Sequence, residues 1–130
     1  MVVPREPSST DARALVSAVR IRNLVPITQV AEGWVMGSAL AVCDLEQGAV
    51  TQLPLDDAGA CFADPSAVIV DPSGAYAYVA AGGADVVSVI DLERLRRTLD
   101  RLGSAGRARA GDDLQLASDY VVARIPTGPN

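Results

Sequence analysis

Much of this chain is written twice. Ser17-Ala-Val-Arg-Ile21 aligns with Ser66-Ala-Val-Ile-Val70 at an offset of 49, and the same offset sets Val30-Ala-Glu-Gly33 on Val79-Ala-Ala-Gly82. Past the glycine, the eight residues from Ala39 to Glu46 match those from Val86 to Glu93 at an offset of 47, so the first copy has a loop two residues longer. Val50-Thr-Gln-Leu-Pro54 then matches Val122-Ala-Arg-Ile-Pro126 at an offset of 72. The jump of 25 residues is the size of an arginine-rich stretch between the last two segments of the second copy. The second copy is therefore the first with an insertion before its final segment.

The repeated segments read as strands. Ser66–Val70 is a short apolar run, followed by Asp71-Pro72-Ser73-Gly74, the pattern of a type I turn: proline presets φ and the aspartate oxygen accepts from a nearby amide. Ala75–Ala80 and Val86–Ile90 are the next strands, with Gly82-Gly83-Ala84-Asp85 as the turn between them, and Tyr120–Pro126 the fourth. Residues on both faces of these strands are apolar or small, which predicts sheets covered on both sides. A unit of about 45–50 residues holding four short strands is the period of a β-propeller blade. The expected fold is thus all-β, with blades that are four-stranded antiparallel meanders in an incomplete ring. Its parts are a loose segment over 1–14, a degenerate first blade over 15–55, and a second blade over 56–130 with a helical insertion at 92–119. Two blades cannot close a ring that ordinarily takes four to eight, so a fragment, a truncated frame or a self-associating piece is expected.

Within the insertion the period changes. Leu92, Leu95, Leu99 and Leu102 form a helical stripe, so one α-helix is expected at about 92–102, with Asp91 as its N-cap and Gly103 just past its end. Residues 103–111 read as a flexible connector. Six arginines between Arg94 and Arg109 face only Asp100, which gives this stretch +5 and leaves −10 on the rest of a chain whose total is −5. Arg94, Arg97 and Arg101 are the candidate partner-binding residues, for an acidic protein partner or an anionic surface. The plainer reading is a helix on the rim with solvated arginines.

Composition removes most catalytic chemistry from these residues. The chain has no histidine and no lysine, which excludes Ser-His-Asp and Cys-His nucleophiles, His-ligated zinc and a lysine Schiff base. No catalytic, cofactor-binding or metal-ligating residue is assigned, and no cofactor is expected. Asp56, Asp57 and Asp64 could gather around calcium but lack the spacing of a dedicated loop, so loop acids are the favoured reading. Gly82-Gly83 reads as a turn rather than a ligand cradle, Asp44 and Asp91 as turn or cap residues, and Trp34 as buried between blades rather than a ligand platform. Cys43 and Cys61 read as small buried apolar residues, a single bridge being the other reading. The acidic balance argues against nucleic acid. No apolar run reaches the ~20 residues of a membrane helix, and the N-terminus lacks the order of a signal peptide.

Residues 65–91, with Val122-Ala-Arg-Ile-Pro-Thr-Gly128 after them, resemble a repeat of the YVTN family of bacterial β-propellers. Tyr78-Val79 stands where that family has Tyr-Val-Thr-Asn, with Ala80-Ala81 replacing the last two. The resemblance extends more faintly over 24–55. It implies further blades of the same or another chain as partners, and a periplasmic or secreted location. The function expected is a non-catalytic propeller segment, not an enzyme, acting as scaffold or interaction module of a larger bacterial protein. The alternative is part of a lactonase-like or cytochrome-linked redox propeller whose active residues lie outside this chain.

Overall fold

The structure, a computed structural model, describes residues 12–21 and 36–128. Among these, the chain forms two antiparallel sheets and one helical insertion. The first sheet has the order β1 (Arg13–Ile21), β2 (Met36–Asp44), β3 (Val50–Pro54). The second has the order β4 (Pro65–Val70), β5 (Tyr76–Ala81), β6 (Val86–Asp91), β7 (Val121–Pro126). The fold is mostly β, of propeller-blade type, and its sheets are open.

The two copies agree in register where their last strands pair. Ala39 stands opposite Pro54 and Leu40 opposite Leu53; in the second sheet Val86 stands opposite Pro126 and Val87 opposite Ile125. The offsets of 47 and 72 thus describe equivalent ladders. The first strand of the first copy behaves otherwise. β1 pairs along its full length with β2, from Arg13 opposite Asp44 to Ile21 opposite Met36, whereas β4 pairs with β5. Ser17–Ile21 therefore occupies the position of β5, not that of Ser66–Val70. An unbroken ladder of nine pairs outweighs the local likeness of five residues. Val30–Gly33 and Trp34 lie outside the described residues.

The turns form as their residues dictate. The Gly74 amide donates to the Asp71 carbonyl at 3.0 Å, and the Asp71 carboxylate accepts from the Ala75 and Tyr76 amides and the Ser73 hydroxyl. The Asp44 carboxylate accepts from the Glu46 and Gln47 amides at 2.9 Å each, closing the tight turn into β3. At the equivalent place Asp91 accepts from the Arg94 amide and starts α1 (Leu92–Arg109). The helix runs further than the leucine stripe implies. At Gly103 the backbone turns to φ 62° and ψ −176°, after which the supposed connector continues helically to Arg109. Two 3-10 turns, Ala110–Asp112 and Leu114–Leu116, and a short α2 (Ala117–Tyr120) lead into β7.

One core joins these parts. Leu15, Leu40, Val42 and Leu53 from the first sheet pack with Val68, Ala77, Val79 and Ile90 from the second, and with Leu95, Leu99, Leu116 and Tyr120 of the insertion. The insertion touches β3 as well as β6 and β7, so it ties the outer edges of the two sheets together. The opposite face of the second sheet is not covered within the described chain, contrary to the expectation of two covered faces: Ile69 is 61% and Ile125 48% exposed. Cys43 is half-buried and Cys61 exposed, so neither is the buried small residue expected, and no disulfide joins them.

Candidate functional site

Arg94, Arg97 and Arg101 all lie on α1, with side chains between 57% and 72% exposed. Each meets an acid of the chain itself. Arg97 Nε lies 3.2 Å from Glu93 Oε1, Arg101 donates to Asp119 at 2.5 Å, and Arg94 stands 3.7 Å from Asp91. Glu93 also receives Arg96 at 2.8 Å, and the Arg96 guanidinium, followed by that of Arg97, holds the Glu93 carboxyl below its usual range. Over 91–119 there are six arginines and six acids. The +5 of the narrower stretch is neutralised by acids just outside it, and exposed pairs of this kind contribute little to stability.

A second cluster, between the sheets, was not read from the sequence. Arg124 of β7 turns inward and donates to Ser88 Oγ at 2.7 Å, to the Leu55 carbonyl at 2.7 Å, and to both carboxylate oxygens of Asp57 at 2.7 and 3.2 Å. Its guanidinium lies 3.7 Å from the centroid of the Phe62 ring. The Arg124 side chain is only 16% exposed. Next to it the buried Asp56 carboxylate accepts from the Ser38 amide at 2.7 Å and the Phe62 amide at 2.8 Å, while Ser38 Oγ donates to the Phe62 carbonyl. The signal available was a lone charge in Val121-Val-Ala-Arg-Ile125, on the face that strand alternation turns toward Ser88.

Asp56 and Asp57 are thus engaged by amides and by Arg124, and Asp64 stands apart at the start of β4 with φ 62°. Among the described residues no group of three or more His, Cys, Asp or Glu side chains is arranged to hold a metal ion. Gly82 and Gly83 make a turn whose amides donate to the Asp64 and Ala63 carbonyls; a Cβ on Gly83 would meet Ala63 at 3.2 Å, so the backbones approach closely there. Tyr120 donates its hydroxyl to the Pro54 carbonyl, a bond from the insertion to the first sheet, and burial pushes its pKa well above the ordinary value.

Residues of this chain align over 108 positions, at 30% identity, with hydrazine synthase subunit beta of Kuenenia stuttgartiensis, covering 82% of the chain and 28% of that protein. A solved structure of Kuenenia stuttgartiensis hydrazine synthase superposes with a TM-score of 0.80 at 28% identity, over 88% of this chain and 33% of that one. The chain is homologous to part of that subunit. It spans less than a third of the relative's length, and what it matches is a propeller-type segment of a larger protein. No protein-family model matches it. The expectation that the chain is not an enzyme is overturned: both the relative and the solved structure belong to hydrazine synthase, an enzyme. The expectation drew on residues within the chain, whereas the chemistry of a much longer protein need not be concentrated in any one segment. Among the described residues, no helix is long and apolar enough to cross a membrane.

Proposed function

We propose that this chain is a blade-forming segment of an enzyme subunit akin to hydrazine synthase subunit beta, and that it builds part of the wall of a propeller whose other blades lie outside it. The observation that carries this reading is the superposition at TM-score 0.80 together with 30% identity to the beta subunit. A whole fold shared at that level over most of the chain is more than a common blade topology would produce. The YVTN-like features, Ser88-Val-Ile-Asp91 and Ile125-Pro-Thr-Gly128, fit the same reading as marks of the repeat unit. In this role the Arg124 cluster fixes the angle between adjacent blades, and the insertion braces their outer edges.

Because the relative is named as a subunit, other chains are expected beside this one. Exposed Arg94, Arg97 and Arg101 offer a docking face only to carboxylates able to displace Asp91, Glu93 and Asp119. The test is to tag the protein that carries this sequence in its host, isolate it with whatever chains accompany it, and assay hydrazine formation. Activity in the isolated assembly, lost on depletion of the tagged chain, supports the proposal. An assembly without hydrazine formation, from cells that do form hydrazine, overturns it.

A further inference from the structure

The insertion is fixed by large buried side chains at both ends and by none in its middle. Leu95 and Leu99 hold the start of α1 in the core, and Leu116 and Tyr120 hold the return to β7. From Ser104 to Asp112 no apolar residue is larger than alanine, and only Ala110 and Gly111 are buried. The helical part of this stretch, Ser104–Arg109, is too short to persist by itself. At its start stands Gly103, with φ 62° and nothing within 4 Å of the position a Cβ would take, so no neighbour fixes the backbone at that point.

Two arginines fasten the stretch. Arg107 donates from Nε to the Leu99 carbonyl at 2.9 Å and lies 3.8 Å from Asp100. It folds the end of the helix back on the beginning, where Gly106 makes room: a Cβ there would stand 3.1 Å from Leu102. Arg20 of β1 donates to the Asp112 carboxylate at 3.0 and 3.1 Å and to Gln52 at 2.6 Å. Its guanidinium fills the space beside Gly111, where a Cβ would come within 2.9 Å. Both ion pairs are open to water, with side chains 27% and 60% exposed for Arg20 and Asp112, and 34% and 56% for Arg107 and Asp100. Beneath lies the outer edge of β3. The Leu55 amide donates to the Ser38 carbonyl, so by alternation Thr51 and Leu53 point their amides at β2. Gln52 points its amide outward, to the edge on which the turn Ala110–Asp112 packs.

We infer that residues 104–112 form a strap that opens and closes over the edge of β3 while the core stays folded, with Gly103 as its hinge and Arg20 and Arg107 as its latches. Local stability within a folded chain follows buried apolar contact, so the strap opens at lower cost than the elements on either side of it. Exposed arginine–carboxylate pairs weaken as ionic strength rises, which makes the opening responsive to salt. An open strap frees the backbone of Gln52, an edge to which an extended segment of another chain can pair. The inference stands apart from the enzymatic reading, since it rests on contacts within this chain.

The test is hydrogen exchange, resolved to single amides by mass spectrometry, on the full polypeptide isolated from its host at low and at high salt. High salt is expected to speed exchange of the 104–112 amides and of Gln52 by about fivefold, while Leu53, Val79 and Leu99 keep their rates. Arg20→Gln removes one latch and Gly111→Ala displaces it, so each variant at low salt reproduces the same change. Strap amides that accelerate while Gln52 does not overturn the inference, because the strap then does not cover the edge. Acceleration of Leu53 and Leu99 together with the strap overturns it too, since the opening is then not local. So does a strap that exchanges as slowly as Leu99 at both salt concentrations. If a variant fails to fold, the salt series on the unmodified protein decides the matter.

Discussion

Arg124 is the residue whose loss the two sheets would register most directly. It is charged, nearly buried, and satisfied by Ser88, Asp57 and the Leu55 carbonyl. Removing it strands a carbonyl and half of an ion pair. Because Asp57 remains half-exposed, Arg124→Ala is expected to destabilise by about 2 kcal/mol rather than the larger figure for a fully buried pair. Arg124→Lys restores less than half of that, since an ammonium cannot reproduce the planar fork or lie flat on Phe62; urea unfolding measures both. Tyr120 gives a pH signature. Burial raises its folded pKa above the unfolded value of 10.0, so the folded state holds the proton more tightly. The stability this contributes is complete below pH 10 and is lost as pH rises beyond it. Tyr120→Phe should flatten the alkaline fall in stability and remove the last of the tyrosinate absorbance changes. At the acid end the sign reverses: the Ser73 hydroxyl and the Tyr76 amide hold Asp71 below its usual range, so that contribution is present above the unfolded value and fades as pH falls through the folded one.

At the scale of elements, α1 supplies the sharpest tests. Asp91→Ala deletes the bond to the Arg94 amide and should reduce stability by about 1 kcal/mol. Gly103→Ala is the more telling change. Nothing lies within 4 Å of the position a Cβ would take, yet φ is 62° with an extended ψ, a conformation almost confined to glycine. A loss of about 1–2 kcal/mol without any steric contact, read from thermal unfolding, is the expected result. This helix also marks how far the sequence could be read. Its leucine stripe and its aspartate cap are local signals, and both located its start. Its continuation past Gly103 leads into the 3-10 turn Ala110–Asp112, which packs against β3, a contact between distant segments that no local pattern records. The strands were legible for the same reason: alternation and turn residues act over a few positions. The partner of β1 was not, because pairing is decided by a ladder between segments far apart. The Arg124 cluster was hidden similarly, assembled from β7, β6 and the loop after β3, three places that only the fold brings together.

For the whole molecule, the core does not divide between the sheets. Leu99 and Leu116 of the insertion pack in the same cluster as Leu40 and Val79, so the sheets and the insertion should melt together. Near-ultraviolet dichroism, which reports the packing of Tyr120 together with the chain's other aromatic residues, and far-ultraviolet dichroism, which reports strands and helix together, are expected to give coincident transitions. Leu99→Ala should shift both equally, by about 2–4 kcal/mol; separate transitions would show that the insertion does not hold the sheets together. The position of the insertion has another consequence. It leaves the chain at Asp91 and returns at Val121, within a residue of neighbouring rungs on two paired strands, where the first sheet uses only the turn from Leu45 to Gly48. Its two ends are therefore about 5 Å apart, the separation of opposed strand residues. A segment with such ends enters and leaves the sheet without disturbing strand register, although its leucines and Tyr120 fill part of the shared core and could not be removed without emptying it. The connection between the last two strands of a sheet, a four-residue turn in one copy and a helical insertion in the other, is thereby a point where surface is added without changing how those strands pair.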